Sequence, residues 1–155
     1  MVHMNINWQH KSFDELSPGQ LYAIIQLRNE VFVVEQNCVF QDADNKDQDA
    51  YHMMGWIDNN LVAYTRLIPS GIAYRETSIG RVVISPKLRK TGLGRELMDL
   101  SIDLLYNIWG KTPIKIGAQL YLKNFYESIG FQQTSEVYME DGIEHIEMLL
   151  PPASQ

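Results

Sequence analysis

The sequence holds one cysteine, Cys38, so no disulfide can form within the chain. No apolar run is long enough to span a bilayer. No basic segment followed by an apolar stretch and a small-residue cleavage site opens the sequence. These absences lead us to expect a reducing, cytoplasmic setting and no membrane partner. Positive charge is also scarce: 13 Lys and Arg against 19 Asp and Glu give a net charge of −6, which argues against nucleic acid as a partner. Neither Cys-x-x-Cys nor His-x-x-x-His spacing occurs, so a metal-dependent hydrolase built on Cys38, Asp49, His52 and His145 is disfavoured and no metal is expected. Without repeats, low-complexity tracts or linkers, residues 1–155 are expected to form a single domain. Met1-Val2-His3 precede a second methionine, Met4, and read as an expression remnant.

What is present alternates between two periodicities. A short first strand is expected over Ile6–Gln9. A helix follows with Ser17 as N-cap, Pro18 at its first position and Gln20 completing a capping box, and it runs to about Val34. The acidic stretch Gln41–Asp49 imitates a calcium loop at Asp42 and Asp44. Lys46 then stands where an oxygen ligand belongs, so a solvated loop is expected. Strands are expected at Tyr51–Ile57, Leu61–Ile68 and Ser78–Ile84, the first two joined by a tight turn at Asp58-Asn59-Asn60. A long helix over Arg95–Trp109, a buried strand at Ile114–Ala118 and a helix over Leu120–Ile129 closed by Gly130 come next. Two last strands flank the turn Asp141-Gly142. The order β-α-β-β-β-α-β-α-β-β is an α/β arrangement around a mixed sheet.

The most informative stretch is Ile79–Arg95, IGRVVISPKLRKTGLGR. A β-branched strand leads into a loop with two glycines, and the loop opens the long helix. Backbone N–H groups and a helix N-terminus then converge on one point, a geometry suited to phosphate or pyrophosphate. Gly92 and Gly94 let the backbone approach an anion closely. Between Thr77 and Arg95 there is no acidic residue, while Arg81, Lys87, Arg89, Lys90 and Arg95 are basic. Neither the Walker A spacing nor the three-glycine dinucleotide fingerprint is matched.

On these residues the chain resembles the GNAT superfamily of acyl-CoA N-acyltransferases, whose Arg/Gln-x-x-Gly-x-Gly/Ala loop is matched by Arg89-x-x-Gly92-x-Gly94. It is more closely similar to the ElaA-type branch. The matching segments are Val31–Gln36, Ile79–Val83, Ala118-Gln119, Phe125–Phe131 and Asp141–His145. Lys90 departs from the pattern, since many members carry glycine there. The resemblance implies a mixed, mostly antiparallel sheet flanked by helices, with strands parting in a V to hold acetyl-CoA. It implies that Val82, Val83 and Ile84 bind the pantetheine arm. Arg89, Lys90, Thr91, Gly92, Leu93, Gly94 and Arg95 would enclose the pyrophosphate, and Asn124 would lie beside the coenzyme.

The implied reaction moves an acetyl group to a primary amine by direct attack through a tetrahedral oxyanion, which backbone N–H groups near Val82 stabilise. Tyr126 matches the superfamily tyrosine that protonates the departing sulfur. An ammonium must also lose a proton before it can attack, and Glu35, His145, His52 and Asp49 all remain candidate bases. For Tyr126 the competing reading is core packing. For the whole chain it is a non-catalytic acyl-CoA-binding or sensing module. Acidic residues in Gln41–Asp49 suggest attraction of a cationic acceptor, a small molecule or a peptide, by a monomer or homodimer.

Overall fold

The computed structural model describes residues 5–152; Met1–His3, which the sequence led us to read as an expression remnant, lie outside the described residues. Eight strands form one sheet: β1 (Asn7–Ser12), β2 (Tyr51–Ile57), β3 (Asn60–Ile68), β4 (Thr77–Ile84), β5 (Ile114–Gln119), β6 (Gln132–Gln133), β7 (Tyr138–Glu140) and β8 (Ile143–Leu150). Their spatial order is β1-β2-β3-β4-β5-β8-β6, with β7 also paired to β8. Every pairing is antiparallel except β4 with β5, which is parallel and limited to Thr77–Ile114 and Ser78–Lys115. Past Ser78 the two strands diverge. That divergence is the V expected from the family resemblance. The two-residue strand β6 was not anticipated, being too short for any periodicity to show.

Three helices cover the sheet: α1 (Pro18–Arg28), α2 (Leu93–Trp109) and α3 (Lys123–Ile129). The capping box opens α1 as expected, with the Ser17 hydroxyl accepting from the Gln20 amide at 3.1 Å and the Gln20 side chain accepting from the Ser17 amide at 2.9 Å. After Arg28 the helix widens into π-helical turns over Asn29–Glu35. On one sheet face, α2 buries Leu97, Met98 and Leu105 against Ile79, Ile116 and Met148. On the other, α1 buries Ile24 and Leu27 against Met54, Tyr64 and Val83. The two-residue alternation of the strands makes both faces apolar, as a central sheet requires.

The segment Gln41–Asp49 departs from expectation. Asp42 and Asp47 are buried, and with Asp44 they bind three arginines from three different elements. Arg28 of α1 reaches Asp42 at 2.7 Å and Asp47 at 2.8 Å. Arg66 of β3 reaches Asp44 at 2.7 Å and Asp47 at 2.9 Å. Arg81 of β4 reaches Asp42 at 2.8 Å. The segment is thus a charge-balanced brace tied to the sheet. Asp42, Asp44 and Asp47 are engaged by these arginines, which leaves Asp49 as the one exposed, unbridged carboxylate of the segment and weakens the attraction of a cationic acceptor expected from charge alone.

Candidate active site

A cavity of about 630 Å³ occupies the V. One end of it is built from the loop before α2. There Lys90 (φ 64°) and Gly92 (φ 84°) both take left-handed backbone. A side chain in that backbone costs roughly 1–2 kcal/mol, a cost that glycine at the Lys90 position would avoid. Gly92 caps α2, and a Cβ built on it would meet nothing within 4 Å, so open space lies over the loop amides. Arg89, Lys90, Gly92, Gly94 and Arg95 all line the cavity. Seventeen residues of α2 aim their positive dipole end at this point.

The other two loop residues hold it in shape. The Thr91 hydroxyl donates to the Leu88 carbonyl at 2.6 Å, and Leu93 is buried in the core beneath α2. Val82, Val83 and Ile84 line the slot along β4, where no strand pairs with them on the β5 side. Asn124 is exposed on α3 and is not among the residues lining the cavity.

The four candidate bases separate on geometry. His52 is fully buried, its Nδ1 2.6 Å from the Tyr64 hydroxyl and its Nε2 3.0 Å from the Asp47 carbonyl. It belongs to the arginine–aspartate brace and has no path to a substrate. Asp49 is exposed and does not line the cavity. Glu35 lines it, but its carboxylate accepts two hydrogen bonds from Arg89, at 3.0 and 2.5 Å. It therefore stands at the basic end of the cavity. His145 lines the cavity, is 7% exposed, and stacks on Tyr138 with ring centroids 5.9 Å apart. Its Nδ1 lies 2.7 Å from the Ile143 carbonyl, which can only accept. The hydrogen of that bond therefore sits on Nδ1, while Nε2 faces the cavity side with the Glu140 carboxylate at 3.4 Å.

Tyr126 also lines the cavity and is 5% exposed, packed edge-on against Phe125 and Phe131. Burial pushes its phenol above the ordinary 10.0, so it keeps its proton throughout the neutral range. A slot with an amide-rich basic end, a buried phenol and an imidazole is thus assembled from β4, β5, β8, α2 and α3. Two residues escaped sequence reasoning. Gln36 and Gln119 exchange side-chain hydrogen bonds at 3.3 and 3.1 Å and line the cavity, and a single glutamine carries no spacing signal.

A sequence model described as the acetyltransferase (GNAT) domain matches residues 19–151. The chain belongs to the GNAT acetyltransferase family. It is 46% identical to the protein ElaA of Escherichia coli K12 over 145 residues, 92% of this chain and 95% of that one. The crystal structure of E. coli ElaA superposes with a TM-score of 0.88 at 45% identity, covering 94% of this chain and 99% of that chain. A crystal structure described as an acyl-CoA N-acyltransferase from Pseudomonas aeruginosa gives 0.90 at 41% identity, with the same coverage of each chain. The ElaA-type resemblance and the GNAT fold expected from the motifs are thereby confirmed. No helix among the described residues is long and apolar enough to cross a membrane.

Proposed function

We propose that this GNAT-family protein is an N-acetyltransferase that moves the acetyl group of acetyl-CoA to a primary amine. The observation that carries the reading is one cavity lined both by the basic loop at the start of α2 and by Tyr126 and His145. The loop residues Arg89 to Arg95 would hold the pyrophosphate, and the unpaired stretch Val82–Ile84 the pantetheine arm. An acetyl thioester then lies in the slot, where the amine attacks its carbonyl carbon. The C–S bond breaks and the electron pair leaves on sulfur. Amides near Val82 stabilise the oxyanion, Tyr126 donates to the sulfur, and His145 takes the proton from the nitrogen. Glu140 and Asp141 line the same cavity and replace the 41–49 segment as the attraction for a cationic acceptor. Isothermal titration with acetyl-CoA tests the reading. Wild-type protein should bind, and Gly92→Trp, which fills the space over the loop, should not. A folded wild type that fails to bind would overturn it.

The choice of base is tested separately by two variants assayed against a panel of primary amines. Glu35→Gln frees Arg89, so acetyl-CoA should bind up to ~5-fold tighter, the worth of an exposed ion pair, with turnover retained. His145→Gln should leave binding unchanged and lower kcat, as removal of the proton acceptor requires. Lost turnover in the Glu35 variant, with turnover retained in the His145 variant, would transfer the role to Glu35.

A further inference from the structure

We infer that Arg81 is a positioning residue for acyl transfer: its guanidinium, clamped on the 41–49 segment, holds a left-handed bulge in β4 that sets the direction of the Val82 amide. The inference rests on the proposed acetyl transfer in this slot.

The bulge is visible in three ways. Strand pairing steps from Tyr64–Val83 to Arg66–Gly80, so Arg81 and Val82 together stand opposite the one residue Thr65. The φ of Arg81 is 49°, backbone that a non-glycine residue adopts only at a cost. Finally, Ile79 and Val82 both pack into the core under α2, although they are three residues apart. A regular strand returns to the same face every second residue, so one extra residue must lie between them. Arg81 is that residue.

Something must compensate for the left-handed backbone at an arginine. The Arg81 Nε donates to the Asp42 carboxylate at 2.8 Å, and one terminal nitrogen donates to the Asp42 carbonyl at 2.9 Å and reaches Asp44 at 3.4 Å. Asp42 is itself fixed from the far side by the buried Arg28. The side chain is thus bound in two directions to a rigid anchor, which holds Arg81 in its left-handed conformation and so restrains the peptide that follows it. That peptide carries the Val82 N–H, in the slot where the thioester carbonyl would lie. Bulges beside active sites commonly redirect groups in this way. Arg81 acts through the backbone and need not touch the substrate.

The experiment is isotope-edited infrared spectroscopy of acetyl-CoA carrying carbon-13 at its carbonyl, with binding checked by titration. Bound to wild-type protein, the carbonyl stretch should fall relative to free acetyl-CoA, reporting a hydrogen bond. Arg81→Ala should still bind but lose most of that fall, and acetyl transfer should drop about 10²-fold in kcat, the scale of one oxyanion donor, at unchanged KM. Arg81→Gly should recover much of the fall, because glycine adopts the left-handed backbone without a clamp. Arg81→Lys, the variant least disruptive to folding, should lie between wild type and Arg81→Ala. An undiminished carbonyl shift in every variant would overturn the inference. So would equal losses in the Ala and Gly variants, which would make Arg81 a direct ligand. A wild type that does not bind acetyl-CoA would instead sink the underlying reading of the slot.

Discussion

Arg28→Met will cost the protein about 3–5 kcal/mol of stability, a large share of the 5–15 kcal/mol that a domain of this kind possesses. Arg28 is 1% exposed and carries the partners Asp42 and Asp47, both buried. The brace contains three arginines and three aspartates, so removing one cation leaves a buried carboxylate without its match. Methionine keeps an unbranched stem of good helical propensity but removes the buried guanidinium, so charge, hydrogen bonds and head-group packing are lost together. Urea denaturation checks the figure; a loss below ~1 kcal/mol would mean that water enters the brace and screens it. The same groups set the acid response. Burial alone would raise the Asp47 carboxyl, but hydrogen bonds and charge from Arg28, then Arg66, outweigh it and hold it below the ordinary 3.8. Burial pushes His52 below its ordinary 6.5, against the opposing hydrogen bond to the Asp47 carbonyl. Both are depressed in the folded state, so both contribute fully above their unfolded values. Wild-type stability should therefore fall as pH drops below 6.5, and fall more steeply below 3.8.

The brace also marks the limit of what the sequence could reveal. Asp42, Asp44 and Asp47 look like any solvated acidic loop, because their partners are not local. Arg28 precedes Asp42 by 14 positions, and Arg81 follows it by 39. Only the sheet brings α1, β3 and β4 to one loop, and no spacing rule encodes that meeting. The proposed anion-binding end stood out in the sequence for the opposite reason. Its chemistry lies in one continuous run from Arg89 to Arg95, where glycines, basic residues and the start of a helix are consecutive. The V was legible only through the resemblance, since a two-pair contact between β4 and β5 leaves no trace in hydrophobic pattern. The proposal of His145 over Glu35 as base rests on the ion pair with Arg89, which joins residues 54 positions apart. Consecutive chemistry was readable; chemistry assembled across elements was not.

Tyr126→Phe should lower kcat by about 10²-fold or more, within the range of general acid catalysis, while leaving acetyl-CoA binding and thermal stability close to wild type. The substitution removes a hydroxyl and nothing else. The ring stays packed against Phe125 and Phe131, with centroids 5.1 and 5.8 Å away. The competing reading, that Tyr126 is simply core, therefore predicts almost no change in rate. Its burial sharpens the expected role. A phenol raised above 10.0 is a poor acid toward a thiolate whose thiol has a reference pKa of about 8.5. In the same buried slot, however, desolvation also raises the thiol, because it penalises every unpaired anion. The two affinities for the proton rise together, and a hydrogen bond from the phenol to sulfur strengthens as charge develops there. Since burial keeps the phenol protonated, deprotonation of Tyr126 should produce no loss of wild-type rate below about pH 10. A decline of less than ~3-fold in the Phe variant would return Tyr126 to the core, because a donor used only in the transition state must appear in kcat.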